Sequence, residues 1–280
     1  MFKNPSKILA HTSSIRDGSF VTPEYIITKQ DDIVRALNRT CPHRFYPIGE
    51  EGEVVSDITC KLHGFSFDRA GDPLNNNCRL GETEIDVGQS GLIFENFEEP
   101  NHKWVDDVKK ETNLVYSNSY TGTSHGSWLW SMEMGADLLH VRKGGIHPWL
   151  YPQINLDDVI LDQEDNWMFQ GRPDGWWTFV FPYTFIEWSP GCLSINYTVP
   201  KNVNIEYGFD WITQMYFDPL VPIKERDIFQ KINMVFIEDV EGAEKIKLPY
   251  HPLKTSTSRF EDQCVYFGQW VKKNRIDDKS

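Results

Sequence analysis

Short apolar runs separated by turn residues fill the first hundred positions of the chain. Residues 19–21, 25–28 and 33–37 are rich in β-branched, aliphatic and aromatic side chains, and Asp-Gly, Pro and Asp-Asp sequences bound them. Runs of this length with such boundaries predict β-strands. From residue 8 to about residue 97 the pattern therefore predicts a small antiparallel β-domain.

A charged segment, residues 95–111, follows this first part of the chain. Within it, residues 104–110 predict a short exposed helix or a linker, because charged side chains alternate there with few apolar ones. We accordingly expect two domains, residues 1–98 and residues 99–280.

The second half of the chain combines strand patterns with one helical pattern. The aromatic residues Phe179, Phe181, Tyr183 and Phe185 alternate, which predicts one face of a strand and is more typical of a core than of a substrate pocket. Residues 195–199 and 214–217 predict further strands. Residues 259–273 carry apolar side chains at helical spacing and predict a covering helix. A twisted antiparallel sheet with helices packed over it is expected, so the fold class is α+β.

The charged-residue composition of the chain limits the kinds of molecule that it can bind. The chain has 280 residues, with 41 acidic and 28 basic side chains, a net charge of -13 and a pI near 5.0. Such a charge argues against binding to nucleic acid or to an anionic membrane. Residues 1–7 lack the apolar core of a secretory signal, and the chain contains no run of about eighteen apolar residues. We expect a cytoplasmic protein.

Two Cys-His pairs are the strongest chemical signal. Cys41-Pro-His43 and Cys60-Lys-Leu-His63 are separated by sixteen residues, and each segment supplies one thiolate and one imidazole. Two thiolates on one iron and two imidazoles on the other are the ligands of a Rieske [2Fe-2S] cluster. A zinc site with the same four ligands is the alternative. The other three cysteines, Cys78, Cys192 and Cys264, are expected to be reduced thiols.

A second group of metal-binding side chains lies in the middle of the chain. Glu133, Asp137 and His140 are spaced at i, i+4 and i+7, so they share one face if the segment is helical. Gly144-Gly145 would end that helix, and His147 could then fold back beside His140. Two histidines and one carboxylate form the facial triad that binds iron(II) in non-haem oxygenases.

These motifs together resemble the ring-hydroxylating Rieske non-haem iron oxygenases. The resemblance includes residues 64–68 and Gly71, which are similar to the strand and turn after the second ligand segment of that family. Residues 133–148 are similar to its catalytic motif, although Met134 replaces the usual Asn and six residues, instead of the commoner four, separate the histidines. Residues 238–246 are similar to its Glu-Asp motif, in which the Asp binds iron; this indicates Asp239 as the third ligand, with Glu238 or Glu241 as alternatives.

The resemblance implies a function and a set of partners. It implies an N-terminal all-β Rieske domain, a helix-grip-like catalytic domain, and a terminal oxygenase that uses O2 to hydroxylate or oxidatively demethylate a small organic molecule, aromatic compounds included. A separate reductase or ferredoxin would supply electrons, so NAD(P)H would act only indirectly. The family also implies a homotrimer, in which Asp137 bridges the cluster and the iron held by His140, His147 and Asp239.

Two other functions remain open from the sequence. The chain could be a Rieske-type electron-transfer protein without oxygenase activity, or a zinc-containing binding protein.

Overall fold

The computed structural model describes residues 2, 5–16, 18–141, 145–147, 149, 155–202 and 206–275. The described chain is a mixed α+β structure, as the sequence predicts. It begins with small antiparallel sheets and continues into one large antiparallel sheet with helices. None of the helices described has the length and apolar character needed to cross a bilayer.

Ten short strands build the N-terminal part. They are β1 (Lys7–His11), β2 (Ser19–Val21), β3 (Tyr25–Gln30), β4 (Ile33–Asn38), β5 (Val54–Val55), β6 (Ile58–Cys60), β7 (Phe65–Phe67), β8 (Glu82–Thr83), β9 (Asp86–Val87) and β10 (Leu92–Glu95). They form a five-stranded sheet in the order β5-β2-β3-β4-β8, a three-stranded sheet in the order β1-β10-β9, and the hairpin β6-β7. The strands predicted at residues 19–21, 25–28 and 33–37 are confirmed as β2, β3 and β4.

The helix α1 (Lys103–Lys110) follows the small sheets. The prediction of a helix here is confirmed, but its predicted exposure is wrong. Trp104, Val105 and Val108 are buried and pack with residues of the large sheet, including Trp176. The apolar residues recur at i, i+1 and i+4, which places them on one face, so the helix covers a core although its other face is charged.

Seven strands and three further helices build the C-terminal part. They are β11 (Val115–Ser127), α2 (Trp128–Ala136), β12 (Ile160–Glu164), β13 (Trp167–Arg172), β14 (Gly175–Val180), β15 (Thr184–Ser189), β16 (Cys192–Pro200), β17 (Tyr207–Phe217), α3 (Ile223–Lys245) and α4 (Asp262–Asn274). The strand order is β11-β17-β16-β15-β14-β13-β12, and every neighbouring pair is antiparallel. The predicted strands at 195–199 and 214–217 lie within β16 and β17, and the predicted C-terminal helix is α4.

The aromatic alternation from Phe179 to Phe185 does not belong to a single strand. Phe179 lies near the end of β14 and Phe185 near the start of β15, and the two residues are partners across the hairpin. Alternation continues through the tight turn between them, so the sequence pattern alone does not reveal the reversal. The hairpin brings both rings to the face of the sheet on which α2 and α4 pack.

A loop of the N-terminal part is hydrogen-bonded to the large sheet at Gly52. Its carbonyl oxygen accepts hydrogen bonds from the hydroxyls of Tyr116 (2.7 Å) and Ser119 (3.3 Å), both in β11. Gly52 has a φ of 78°, and a Cβ atom there would lie 1.7 Å from Ser119 Oγ. Only glycine meets both requirements without strain. The loop that connects the two Cys-His segments is thereby held against β11.

Candidate metal centres

The two Cys-His segments have the same backbone conformation. The carbonyl oxygen of Cys41 accepts the N–H of Phe45 at 2.8 Å, and that of Cys60 accepts the N–H of Gly64 at 2.9 Å. In each segment the residue four places after the cysteine has a positive φ, 58° at Phe45 and 70° at Gly64. Each segment therefore makes one tight turn and then reverses direction.

The four predicted cluster ligands form a buried pair of thiols and an exposed pair of imidazoles. Cys41 and Cys60 are 2% and 1% exposed and belong to the small core of the N-terminal sheets. His43 and His63 are exposed, and their ring centroids are 4.8 Å apart. Thiols inside and imidazoles at the surface would leave a bound group in contact with solvent through its histidine side.

The donor set fits a two-cysteine, two-histidine iron-sulfur cluster. Burial raises the pKa of Cys41, and the nearby Cys60 raises it further, although the backbone N–H groups of His43 and Arg44 lower it. Two adjacent buried thiols do not both ionise readily unless a cation compensates the charge. Iron would supply that charge, and the backbone N–H groups facing the sulfur would stabilise the thiolate form.

The second predicted triad is also brought together. Ligand atoms of His140, His147 and Asp239 all lie within 4.8 Å of one another. Oδ1 of Asp239 is 2.8 Å from Nε2 of His147 and 3.4 Å from Nε2 of His140. The three side chains are 12%, 0% and 6% exposed for His140, His147 and Asp239. The two imidazoles and one carboxylate fit a facial iron(II) triad, which leaves positions for other ligands.

The route by which the chain places His140 differs from the sequence prediction. The helix α2 ends at Ala136, and Asp137 is extended with a ψ of 99°. Oδ1 of Asp137 accepts the N–H of Leu139 at 2.8 Å and starts a 3-10 turn, Leu138–Val141, that carries His140. Side chains of Asp compete for backbone N–H groups in this way, so the helix does not continue through residue 140. The predicted single helical face is wrong.

The segment between the two histidines is only partly described. Gly144 and Pro148 lie outside the described residues. The helix predicted to end at Gly144-Gly145 ends earlier, at Ala136. His147 itself is described, and it is fully buried between two acidic residues of α3.

Both ring nitrogens of His147 face carboxylates. Nδ1 lies 2.5 Å from Oε2 of Glu238, and Nε2 lies 2.8 Å from Asp239. Trp149 Nε1 donates a hydrogen bond of 3.3 Å to the same Glu238 oxygen. Burial alone would lower the pKa of His147, but the two carboxylates raise it. Glu238, which the sequence indicated as an alternative ligand, lies on the opposite side of His147 from Asp239.

Asp137 lies beside the triad without a hydrogen bond to it. Its described hydrogen bond goes to Leu139, and Nδ1 of His140 is buried with no partner among the described residues. Burial raises the pKa of Asp137, whereas the charge of His140 lowers it. Asp137 and His140 therefore interact electrostatically.

A cavity adjoins the triad between α2, α3 and the strands β13–β15. The centre of a water-sized sphere can occupy about 40 Å³ of it, and the space between atoms is about 560 Å³ when the solvent at its mouth is included. Asp137, His140, Asp239 and several aromatic side chains line it. The aromatic alternation favoured a core, yet Phe179 and Phe185 line this cavity, and Glu187, which the sequence did not indicate, lines it too. The alternation of side chains along β15 could have indicated that Phe185 and Glu187 share a face and line the same space.

Comparison with known protein families identifies the first part of the chain. Residues 7–82 match the model of the Rieske [2Fe-2S] domain. No curated protein matches the sequence. Residues 7–82 thus form a Rieske [2Fe-2S] domain.

Solved structures of a Rieske monooxygenase and of a second bacterial protein share the fold of nearly the whole chain. A quaternary ammonium Rieske monooxygenase, described for carnitine oxidation by gut microbiota, superposes with a TM-score of 0.74 at 16% identity, covering 96% of this chain and 88% of that one. The monooxygenase CntA with L-carnitine gives a TM-score of 0.72 at 18% identity, with the same coverage. NdmA of Pseudomonas putida CBB5 gives 0.56 at 15% identity, covering 96% of this chain and 89% of that one.

Proposed function

We propose that this chain, which joins a Rieske [2Fe-2S] domain to the fold of the Rieske monooxygenases, is the terminal oxygenase of a multicomponent system. It would use O2 and externally supplied electrons to hydroxylate or oxidatively demethylate a small organic molecule. The observation that carries the proposal is the buried group of His140, His147 and Asp239 beside a cavity. An electron carrier has no need of a second metal site next to a cavity.

Each predicted ligand has a defined task in this proposal. Cys41, Cys60, His43 and His63 would hold the cluster, and His140, His147 and Asp239 would hold one iron. A Rieske cluster carries single electrons, and iron(II) in a facial triad activates O2. Asp239 supplies one negative charge to the site, and Glu238 keeps Nδ1 of His147 protonated, so that Nε2 is free to bind the metal.

Asp137 is proposed as the bridge between the two centres. Its second carboxylate oxygen can accept a hydrogen bond from Nδ1 of His140, which has no other described partner, and one from a cluster histidine. His43 and His63 are exposed, so a cluster histidine of a neighbouring subunit could reach this carboxylate. We therefore propose a homotrimer in which electrons pass between subunits, and a separate reductase or ferredoxin that reduces the cluster.

The domain boundary is part of the proposal. The strand β10 ends at Glu95, and the large-sheet region begins with α1. A division near residue 98 assigns every predicted cluster ligand to the first domain and every predicted iron ligand to the second.

The test is the metal and sulfide content of the purified protein. We expect about three irons and about two acid-labile sulfides per chain, and a Rieske electron paramagnetic resonance signal after reduction with dithionite. His140→Ala should lose about one iron and keep the signal. A chain with two irons, unchanged by anaerobic loading with iron(II), would instead be an electron carrier, and a colourless chain with zinc would contradict both functions.

A further inference from the structure

Glu187 is a buried carboxylate with no cationic partner. It is 2% exposed, and the donors that reach it are neutral: Trp177 Nε1 at 2.7 Å, Asn233 Nδ2 at 2.5 Å and Ser194 Oγ at 3.4 Å. No ion pair of Glu187 occurs within the part of the chain that the structure describes. A buried ionised carboxylate is costly unless an opposite charge accompanies it.

The charge of a bound iron(II) would not compensate the charge of Glu187. Three carboxylates line the cavity, from Asp137, Glu187 and Asp239, and none of the described lining residues is Lys or Arg. The two positive charges of iron(II) would offset Asp137 and Asp239. Burial raises the pKa of Glu187 to about 7, although its hydrogen bonds lower it. A cation bound beside Glu187 would favour the ionised form, which adds one negative charge to the cavity.

The walls next to Glu187 are aromatic. Trp177, its cross-strand partner, and Phe185, two residues before it, both line the cavity and are only partly buried. Aromatic faces attract cations through their quadrupole, and the combination of such faces with a carboxylate is how proteins bind ammonium groups that carry methyl substituents.

A second polar group in the cavity also lacks a partner. Ser131 lies on α2, is 2% exposed, and lines the same space. Its hydroxyl makes no hydrogen bond among the described residues. Buried hydroxyl groups usually have a partner, so this hydroxyl is available for a polar atom of a bound molecule.

From these observations we infer that the cavity binds a positively charged organic substrate, an amine or an N-methylated ammonium compound, with Glu187 as its counter-ion. The inference rests on the proposed function, since it names the substrate class of the same site. It depends on this chain's own side chains, because 16–18% identity to the structurally similar enzymes does not transfer a substrate. Trp177 and Phe185 would contact the methyl groups, and Ser131 would bind a hydroxyl or carbonyl oxygen.

The experiment compares three probes of the same shape and different charge. Choline, its neutral carbon analogue 3,3-dimethylbutan-1-ol and the anion 3,3-dimethylbutanoate are titrated into the metal-loaded protein by isothermal calorimetry. We expect choline to bind at least about tenfold more tightly than the neutral analogue, and the anion to bind most weakly. Equal affinity for choline and the neutral analogue, or preference for the anion, would overturn the inference without any variant being made.

A matched pair of variants then assigns the charge preference to one residue. Glu187→Gln keeps the size and most of the hydrogen-bonding capacity of the side chain and should abolish the preference for choline. Glu164→Gln removes an exposed carboxylate from β12 of the same sheet and should keep it. Persistence of the full preference in a folded Glu187→Gln protein would reject Glu187 as the counter-ion.

The test of the substrate class can fail independently of the test of the proposed function. Iron, sulfide and the electron paramagnetic resonance signal are measured on the same samples. Normal metal content without charge discrimination would reject the substrate class alone, whereas absent mononuclear iron with intact choline binding would reject the oxygenase and retain a cation-binding cavity.

Discussion

Nδ1 of His147 lies 2.5 Å from Oε2 of Glu238, the residue immediately before the predicted iron ligand Asp239. Consecutive residues of one helix thus engage the two nitrogens of one buried imidazole. Glu238→Gln retains an acceptor oxygen but loses the negative charge that fixes the tautomer. We expect the affinity for mononuclear iron to fall roughly 10- to 100-fold, with unchanged cluster content. Iron(II) titration of the iron-depleted protein measures this.

The control for that variant is Glu241→Gln, which removes an exposed charge from the same helix. It should bind iron like the parent protein. An equal loss of affinity in both variants would indicate a general effect of helix charge and would contradict the orienting role of Glu238.

Asp137→Asn should separate electron transfer from metal binding. The amide oxygen of Asn can still accept the N–H of Leu139, so the 3-10 turn that carries His140 should persist. We expect full iron and sulfide content, and oxidation of the reduced cluster by O2 in the presence of substrate slowed by at least about tenfold. Stopped-flow absorbance of the cluster measures the rate. Asp106→Asn, on the exposed face of α1, is the control, and an unchanged rate in Asp137→Asn would reject the bridge.

Cys41→Ser should abolish the cluster, since one thiolate of the donor set is lost. The substitution replaces one sulfur atom by one oxygen atom, so the small core around it should remain packed. Visible absorption and sulfide content should both fall to the background level. Cys78→Ser, at a cysteine that no metal site uses, should retain both, and retention of colour in Cys41→Ser would exclude Cys41 as a ligand.

Glu133 should make stability fall as pH rises. Burial raises its pKa to about 7 from 4.5, with a further contribution from Asp137, although the hydroxyl of Tyr250 lowers it by a hydrogen bond. The native chain therefore holds the proton more tightly, and its contribution is complete below pH 4.5 and lost as pH rises through about 7. The loss is roughly 3 kcal/mol at most. In Glu133→Gln the melting temperature should fall less than in the parent between about pH 5 and about pH 8; an identical pH profile would contradict the shift.

Gly52→Ala tests the attachment of the cluster loop to β11. It combines a positive φ with a collision against Ser119, so we expect a loss of roughly 2–4 kcal/mol in unfolding free energy. Gly208 has a φ of 88° but only Lys201 Cδ near its Cβ position, at 3.9 Å. Gly208→Ala should therefore cost only about 1 kcal/mol. Chemical denaturation compares the two, and equal costs would show that the contact with β11 contributes nothing.

The local parts of this structure were predictable from sequence, and the parts that depend on distant contacts were not. Cys41, His43, Cys60 and His63 lie in two compact turns, so their spacing already indicates a common site. The triad required the resemblance to known oxygenases, because Asp239 lies on a helix far along the chain from His140. No pattern of spacing reveals such a contact.

The errors have a common physical origin in tertiary structure and side-chain competition. Trp104 looked exposed because charges surround it in sequence, yet the large sheet covers it. The helix α2 stops at Ala136 because the Asp137 side chain takes a backbone N–H group that the helix would use. Glu187 looked like one polar residue in an aromatic strand, and its meaning depends on α3 and β14 closing around it.

The helix α3 carries Asp239 and Glu238 toward the metal and Asn233 toward Glu187. A descendant of this chain that acquired a new substrate through changes in α3 would therefore risk its iron at the same time. Changes in the hairpin β14-β15 carry no such penalty, since none of the three predicted iron ligands lies there. Natural variants and laboratory libraries alike should diversify at Trp177, Phe179 and Phe185 while the acidic face of α3 stays constant.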